Sequence, residues 1–82
     1  MTIRDDVLSA LTDVAPEVDA NDIRDEVPLR EQVDLDSMDW LRFLIEISKR
    51  FHVDIPESEY ASLRTLADVV RYTDRHLSLI HI

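Results

Sequence analysis

The stretch VDLDSMDWLRFLIEISKRF, residues 33–51, decides how this chain folds. From Met38 onwards its apolar side chains recur at helical spacing. One face of the predicted helix carries Leu41, Leu44, Ile47 and Phe51, with Trp40 and Phe43 on its flank. The opposite face is charged and carries Asp39, Arg42, Glu46, Lys49 and Arg50. We therefore expect an amphipathic helix over residues 38–51, packed on a core through its apolar face.

The segment before this helix contains a second helix and a long loop. Apolar side chains at helical spacing predict a helix over residues 3–14, which begins after Thr2 and ends before Pro16. Residues 15–36 have no such period and read as an ordered loop. Scattered apolar residues are expected to hold it: Val18, Ile23, Val27, Leu29, Val33 and Leu35. Loops of this length are uncommon in compact domains and are usually functional.

Two more helices are predicted after the quoted stretch. Pro56 suits the first turn of a short helix that runs to about Ala61. Thr65 and Asp68 have the spacing of a capping box ahead of a fourth helix, and the tail SLIHI, residues 78–82, either extends that helix or frays. The fold is therefore expected to be all-α: a small four-helix bundle of three longer helices and a short third one, with a long loop between helices one and two. The expected core is Val7, Leu11, Leu41, Leu44, Ile47, Phe51, Ile55, Leu63, Leu66, Val69 and Val70.

Composition limits what the protein can be. Its 82 residues suit one domain, residues 1–82, and exclude a large catalytic cavity. The chain contains no cysteine, which excludes disulfides and thiolate metal sites. No apolar run reaches membrane-spanning length, and the N-terminus does not resemble a signal peptide. We expect a monomeric cytoplasmic protein with no membrane contact.

Acidic residues are concentrated before Ser37. The net charge is −9, and residues 1–36 carry 11 acidic and 3 basic side chains, against 7 and 6 in residues 37–82. Such a field repels phosphate backbones, so nucleic acid is not expected as a ligand. It favours partners with basic patches, although solubility alone also explains it.

Ser37 has two interpretations. If Asp36 is the N-cap, Ser37 falls at the first helical position, and its hydroxyl is exposed where the helix dipole favours a phosphate. If Ser37 is itself the cap, its hydroxyl is structural. Spacing alone favours an ordinary helix-start residue, because serine is common there.

The chain shows no catalytic or metal-binding constellation. His52, His76 and His81 form no triad and no metal-ligand spacing, and none lies near Ser37 in sequence. We therefore expect a protein that is not an enzyme and holds no metal.

Nearly the whole chain resembles the acyl carrier proteins. The residues that carry the resemblance are DSM at 36–38, which opens an apolar helix ending in RF, and VDIPESEYASLRTLADVVRYT at 53–73. In that family an Asp-Ser-Leu or Asp-Ser-Met motif opens the second helix, Ile-Pro precedes the third, and a Thr-hydrophobic-x-Asp box opens the fourth. Asp34 stands where the family commonly has glycine, and the chain has no glycine at all.

The resemblance implies a covalent cofactor and a set of partners. Ser37 would receive 4′-phosphopantetheine from coenzyme A through a phosphopantetheinyl transferase that uses magnesium, with Asp36 as the motif residue and helix cap. Acyl-loading ligases or synthase enzymes would then charge the arm as a thioester. The expected partner face consists of Met38, Asp39, Arg42, Ile45, Glu46 and Lys49. Met38 and Ile45 have an equal alternative role, that of roofing the core.

The charges of this face favour a specialised role. Carriers of fatty-acid synthesis display an acidic second helix, but here Arg42, Lys49 and Arg50 interrupt it, so we expect a specialised lipid or polyketide pathway. The alternatives are a peptidyl or aminoacyl carrier loaded by a dedicated ligase, and a non-carrier helical interaction module. Trp40 is expected to pack on the core or its rim rather than to line the path of the arm or cargo.

Overall fold

The computed structural model describes residues 2–80, with side chains up to residue 77. It contains four α-helices and two 3₁₀ helices, and the predicted all-α fold is confirmed. The α-helices are α1 (Ile3–Val14), α2 (Leu29–Gln32), α3 (Ser37–Phe51) and α4 (Leu66–Ile80). The 3₁₀ helices are Ala20–Asp22 and Glu57–Ser62. The predicted short third helix is thus the second 3₁₀ helix, while α2 and the first 3₁₀ helix lie within the segment predicted to be loop. The last two residues of the tail lie outside the described residues.

The long helices pack around α1, which contacts both α3 and α4. The largest fully buried side chain of the described chain is Phe43. Of the predicted core residues, eight are buried: Val7, Leu11, Leu44, Ile47, Ile55, Leu63, Leu66 and Val69. The core also takes in the predicted loop anchors Ile23, Leu29, Val33 and Leu35 and the predicted flank residues Trp40 and Phe43. Four further core residues were not predicted: Leu8, Ala10, Ala15 and Val53.

The buried face of α3 differs from the predicted one. Trp40, Phe43, Leu44 and Ile47 are buried, whereas Leu41 is 39% exposed and Phe51 only partly buried. Both sets of residues follow a helical spacing, so the period alone cannot choose between them. The loop before α3 contributes buried side chains to the same core, and the helix turns Trp40 and Phe43 inward with them. Val70, predicted to be core, is also only partly buried.

The segment between α1 and α3 is held by polar contacts as well as by its buried anchors. The amide of Gln32 donates to the carbonyls of Arg24 and Val27, both at 2.7 Å, and its oxygen accepts the N–H of Arg24 at 2.7 Å. The guanidinium of Arg4 on α1 binds both carboxylate oxygens of Asp25. The hydrogen bond from Arg4 holds the pKa of Asp25 below its usual value. These contacts fix the chain that leads into α3.

The same segment is tied to the start of α4. The N–H of Leu29 donates to the carbonyl of Arg64 at 2.8 Å, and the N–H of Ala67 donates to the carbonyl of Asp25 at 3.1 Å. Thr65 and Asp68 form the predicted capping box at this point. As a result, residues 25–29 are joined to residues 64–67, where α4 begins.

Candidate functional site

The start of α3 leaves one hydroxyl without a structural role. The Asp36 carboxylate accepts the N–H of Asp39 at 2.8 Å, and the Asp36 carbonyl accepts the N–H of Trp40 at 3.0 Å, so Asp36 is the N-cap. Ser37 occupies the first helical position and is exposed. Within the described chain, no hydrogen bond engages its hydroxyl. Because the neighbouring carboxylate does the capping, the Ser37 oxygen is available to an external group.

Two backbone donors lie beside this hydroxyl. The N–H groups of Ser37 and Met38 have no acceptor among residues 2–80, as expected for the first turn of a helix that a single side chain caps. Both point outward from the end of a fifteen-residue helix, where the aligned peptide dipoles favour negative charge. The first turn of α3 is therefore suited to a phosphate held next to Ser37.

The approach to Ser37 does not need a glycine. His52, which ends α3, is the residue with a positive φ (53°) in the described chain, and Asp34 is not among such residues. Asp34, which stands where the family commonly has glycine, therefore lies outside the left-handed region. The N–H of Leu35 donates to the carbonyl of Val33 at 2.9 Å, so a tight three-residue turn centres on Asp34 at negative φ, which does not require glycine.

An apolar row follows Ser37 along the outer face of α3. Met38 is 66% exposed, Leu41 39% and Ile45 47%. Their spacing of three and four residues places them on one side of the helix. Met38 and Ile45 therefore do not roof the core. Leu41 was missed as a surface residue, although the same spacing links it to the other two.

Two cations flank this row without partners. Arg42 and Lys49 are exposed, and within the described chain neither forms an ion pair. Arg50 differs, because its guanidinium contacts both Asp13 of α1 and Glu46 of α3. Of the basic residues on α3, Arg42 and Lys49 thus present uncompensated charge, while Arg50 and Glu46 largely neutralise each other.

Trp40 lies on the inner side of the same turn. It is 9% exposed, and its ring centroid lies 5.3 Å from that of Phe43 at an interplanar angle of 38°. The predicted packing of Trp40 on the core is thus confirmed, and the same side chain also lines a groove at this end of α3.

Two other types of site are absent from the described residues. In that part of the chain, no three histidine, cysteine or acidic side chains come together as metal ligands. The described helices also include none that is long and apolar enough to cross a membrane.

Comparison with known proteins identifies the family. The family model described as "Phosphopantetheine attachment site" matches residues 5–73. An acyl carrier protein of Helicobacter hepaticus is 32% identical over 57 residues, which cover 70% of this chain and 75% of that protein. An acyl carrier protein of Chlamydia trachomatis is 29% identical over 79 residues, which cover 93% and 97%. One from Rubrobacter xylanophilus is 25% identical over 76 residues, which cover 89% and 94%.

The chain belongs to the acyl carrier protein family. Proteins of this family are carriers, and the cofactor of the phosphopantetheine-binding domain is a covalently attached 4′-phosphopantetheine. The predicted family and cofactor are both confirmed.

Proposed function

We propose that this chain carries acyl groups on a 4′-phosphopantetheine arm attached to the Ser37 hydroxyl. The observation that carries the proposal is that Asp36 caps α3, which leaves the Ser37 oxygen exposed and unpaired in the described chain. The free N–H groups of Ser37 and Met38 add two donors for the phosphate of the arm. These residues fit the group that the family carries.

Attachment requires a second protein. The Ser37 oxygen forms a bond to the pantetheine-bearing phosphorus of coenzyme A, the pyrophosphate bond breaks, and adenosine 3′,5′-bisphosphate leaves. The hydroxyl proton must pass to a base. His52 is the nearest histidine in sequence, and it lies at the opposite end of α3, roughly 20 Å along the helix axis. The base and the magnesium therefore belong to a phosphopantetheinyl transferase, for which this chain is the substrate.

The carrier role follows from the chemistry of the arm. When bound, 4′-phosphopantetheine supplies a terminal thiol that holds acyl groups as activated thioesters. A tether of this kind raises the effective concentration of the acyl group at each enzyme that docks on the carrier. What this chain must supply is a rigid attachment point and a surface that partner enzymes recognise.

We further propose that enzymes of a specialised lipid or polyketide pathway recognise the outer face of α3. The face consists of Met38, Leu41 and Ile45, with Arg42 and Lys49 beside this row and Asp39 and Glu46 on the far side of the two cations. A partner surface selected for a uniformly acidic helix would meet two unpaired cations here, and such like-charge contacts discriminate against wrong partners. A fitting partner instead places carboxylates opposite Arg42 and Lys49.

Intact-mass analysis tests the attachment. The chain is incubated with coenzyme A, magnesium and a promiscuous phosphopantetheinyl transferase, and we expect a single phosphopantetheine increment. Ser37→Ala should abolish this increment. Ser58→Ala, which removes another exposed serine, is the matched control and should leave it unchanged. No increment on the unaltered chain, or an equal increment on Ser37→Ala, contradicts the proposal.

Charge reversal tests the partner face. We expect Arg42→Glu with Lys49→Glu to improve loading by enzymes of ordinary fatty-acid synthesis. Arg50 is left in place because it joins α3 to α1. The control is Arg24→Glu with Arg75→Glu, which makes the same change in net charge away from α3. High activity of the unaltered chain with those enzymes would show that the specialised-pathway proposal is wrong.

A further inference from the structure

A groove of about 530 Å³ lies beside the first turn of α3. Its apolar wall is formed by Leu35, Trp40 and Leu63, all largely buried. Tyr60, from the second 3₁₀ helix, adds a second aromatic ring to the lining. The volume falls in the range of small-molecule sites, and much of the rest of the lining is polar.

The groove is adjacent to Ser37. Leu35 precedes Ser37 by two residues, and Trp40 follows it by three, a rise of about 4.5 Å along α3. The Arg30 Nε also approaches the carbonyl of Leu35, at 3.4 Å. A group tethered to Ser37 therefore encounters this groove at high effective concentration.

Two arginines give the groove a charge opposite to that of the whole chain. Arg30 of α2 and Arg64, which precedes α4, both line it, and Glu31 is the single acidic residue of the lining. Within the described chain, neither guanidinium forms an ion pair. The backbone of Arg64 is held in place, because its carbonyl accepts the N–H of Leu29 and its own N–H donates to the Asp68 carboxylate. In a chain of net charge −9, this is a local excess of positive charge.

We infer that this groove binds the acyl cargo of the arm and selects cargo that ends in a carboxylate. The inference rests on the proposed attachment at Ser37. An acyl chain packs on Leu35, Trp40 and Leu63, and its carboxylate pairs with Arg30 and Arg64. Guanidinium groups suit this role because their geometry matches a carboxylate through paired hydrogen bonds. An aminoacyl cargo with a free ammonium group is repelled by the same residues.

Free thioesters test the selectivity without any attachment. Apo protein is titrated with the pantetheine half-thioester of adipic acid and with hexanoyl-pantetheine, a neutral cargo of equal length. The chain has one tryptophan, Trp40, which lines the groove, so its fluorescence reports binding there. We expect the carboxylate ligand to bind about fivefold more tightly, as two partly exposed ion pairs allow. Equal affinities overturn the inference.

Two double variants test whether Arg30 and Arg64 cause the preference for a carboxylate. Arg30→Gln with Arg64→Gln should remove the preference and leave hexanoyl-pantetheine binding unchanged, which also shows that the fold is intact. Arg24→Gln with Arg75→Gln removes two exposed arginines outside the groove and should keep the preference. A preference that survives in the Arg30/Arg64 variant overturns the inference. So does equally tight binding of 4′-phosphopantetheine without an acyl group, because it would assign the arginines to the phosphate of the arm.

The loaded protein separates this inference from the proposed function. Adipoyl and hexanoyl arms are attached by a promiscuous transferase, loading is measured by mass, and Trp40 fluorescence is followed as salt is raised. We expect a salt-sensitive difference between the two loaded forms that the Arg30/Arg64 variant lacks. Loading of Ser37 without such a difference overturns the inference alone. A chain that cannot be loaded overturns the attachment, and the groove then cannot be the cargo site.

Discussion

The first turns of α3 and α4 use a hydroxyl residue in opposite ways. In α4, the Thr65 hydroxyl accepts the N–H of Asp68 at 3.0 Å, and the Asp68 carboxylate accepts the N–H of Thr65 at 3.2 Å. In α3, Asp36 takes the capping role, and Ser37 lies one position further into the helix. A shift of one residue therefore decides whether the hydroxyl caps the helix or stays free to react.

The two helix starts also differ in what they leave unsatisfied. Burial acts to raise the pKa of Asp68, but hydrogen bonds from the N–H groups of Thr65 and Arg64 outweigh it and leave the pKa below its usual value. That carboxylate is thus fully engaged. Thr2 and Asp5 form the same kind of capping box at the start of α1. Among these three long helices, α3 alone keeps free N–H groups beside a free hydroxyl.

The sharpest test of this comparison measures modification and stability for two alanine substitutions, one at each helix start. Ser37→Ala should abolish modification completely and change the free energy of unfolding by no more than about 0.5 kcal/mol. Thr65→Ala should lower the free energy of unfolding by about 1 kcal/mol, because a cap is lost, and leave modification intact. Intact mass and urea unfolding measure the two effects. Equal stability losses would show that Ser37 also caps its helix.

Removal of the cap of α3 should lower the stability of the fold and leave the Ser37 hydroxyl in place. Asp36→Ala is expected to lower the free energy of unfolding by about 1 kcal/mol, whereas Asp36→Asn should retain most of it, because asparagine caps helices about as well as aspartate. Urea unfolding of the three proteins side by side checks this. A loss in the asparagine variant as large as in the alanine variant would mean that charge, not capping geometry, stabilises this turn.

A third hydroxyl, that of Thr73, is neither a cap nor exposed. It is fully buried on α4, and its oxygen has no hydrogen-bond partner in the described chain. A buried polar group without a partner is costly, so Thr73→Val should raise the free energy of unfolding by up to about 1 kcal/mol. Thermal unfolding measures the effect, with Thr12→Val as the control at a position whose hydroxyl does donate, to Ser9. A decrease in stability for Thr73→Val would show that this hydroxyl is satisfied in solution.

The smallest effect concerns pH. The pKa of Asp68 is lower in the folded chain than the ordinary value of 3.8. The unfolded chain therefore binds the proton first, so the stability that Asp68 contributes is present above pH 3.8 and is lost as pH falls through the lower folded value. Asp68→Asn should remove this part of the acid sensitivity. Unfolding midpoints from pH 6 to pH 2 give the comparison, and parallel curves would contradict it.

How far the sequence predicted this fold depends on the kind of signal. The starts of α1 and α4 were predicted correctly because capping is local and involves residues three positions apart. The buried face of α3 was not, because Leu41 and Phe43 are both apolar and lie at opposite edges of a broad apolar face, about 160° apart around the helix. Short α2 was missed because its four residues are too few for a periodic signal. Its position depends on Gln32 and on contacts with α4.

The sequence by itself determined the family, the long helices and the position of Ser37 after a capping aspartate, because each of these depends on residues close together in the chain. The tertiary structure decided which side of α3 faces outward and therefore which of its charges remain unpaired. It also brought Arg30 and Arg64 to one groove beside Trp40. Hydrogen bonds between residues 25–29 and residues 64–67 create that proximity, and no local sequence pattern indicates contacts between segments so far apart in the chain.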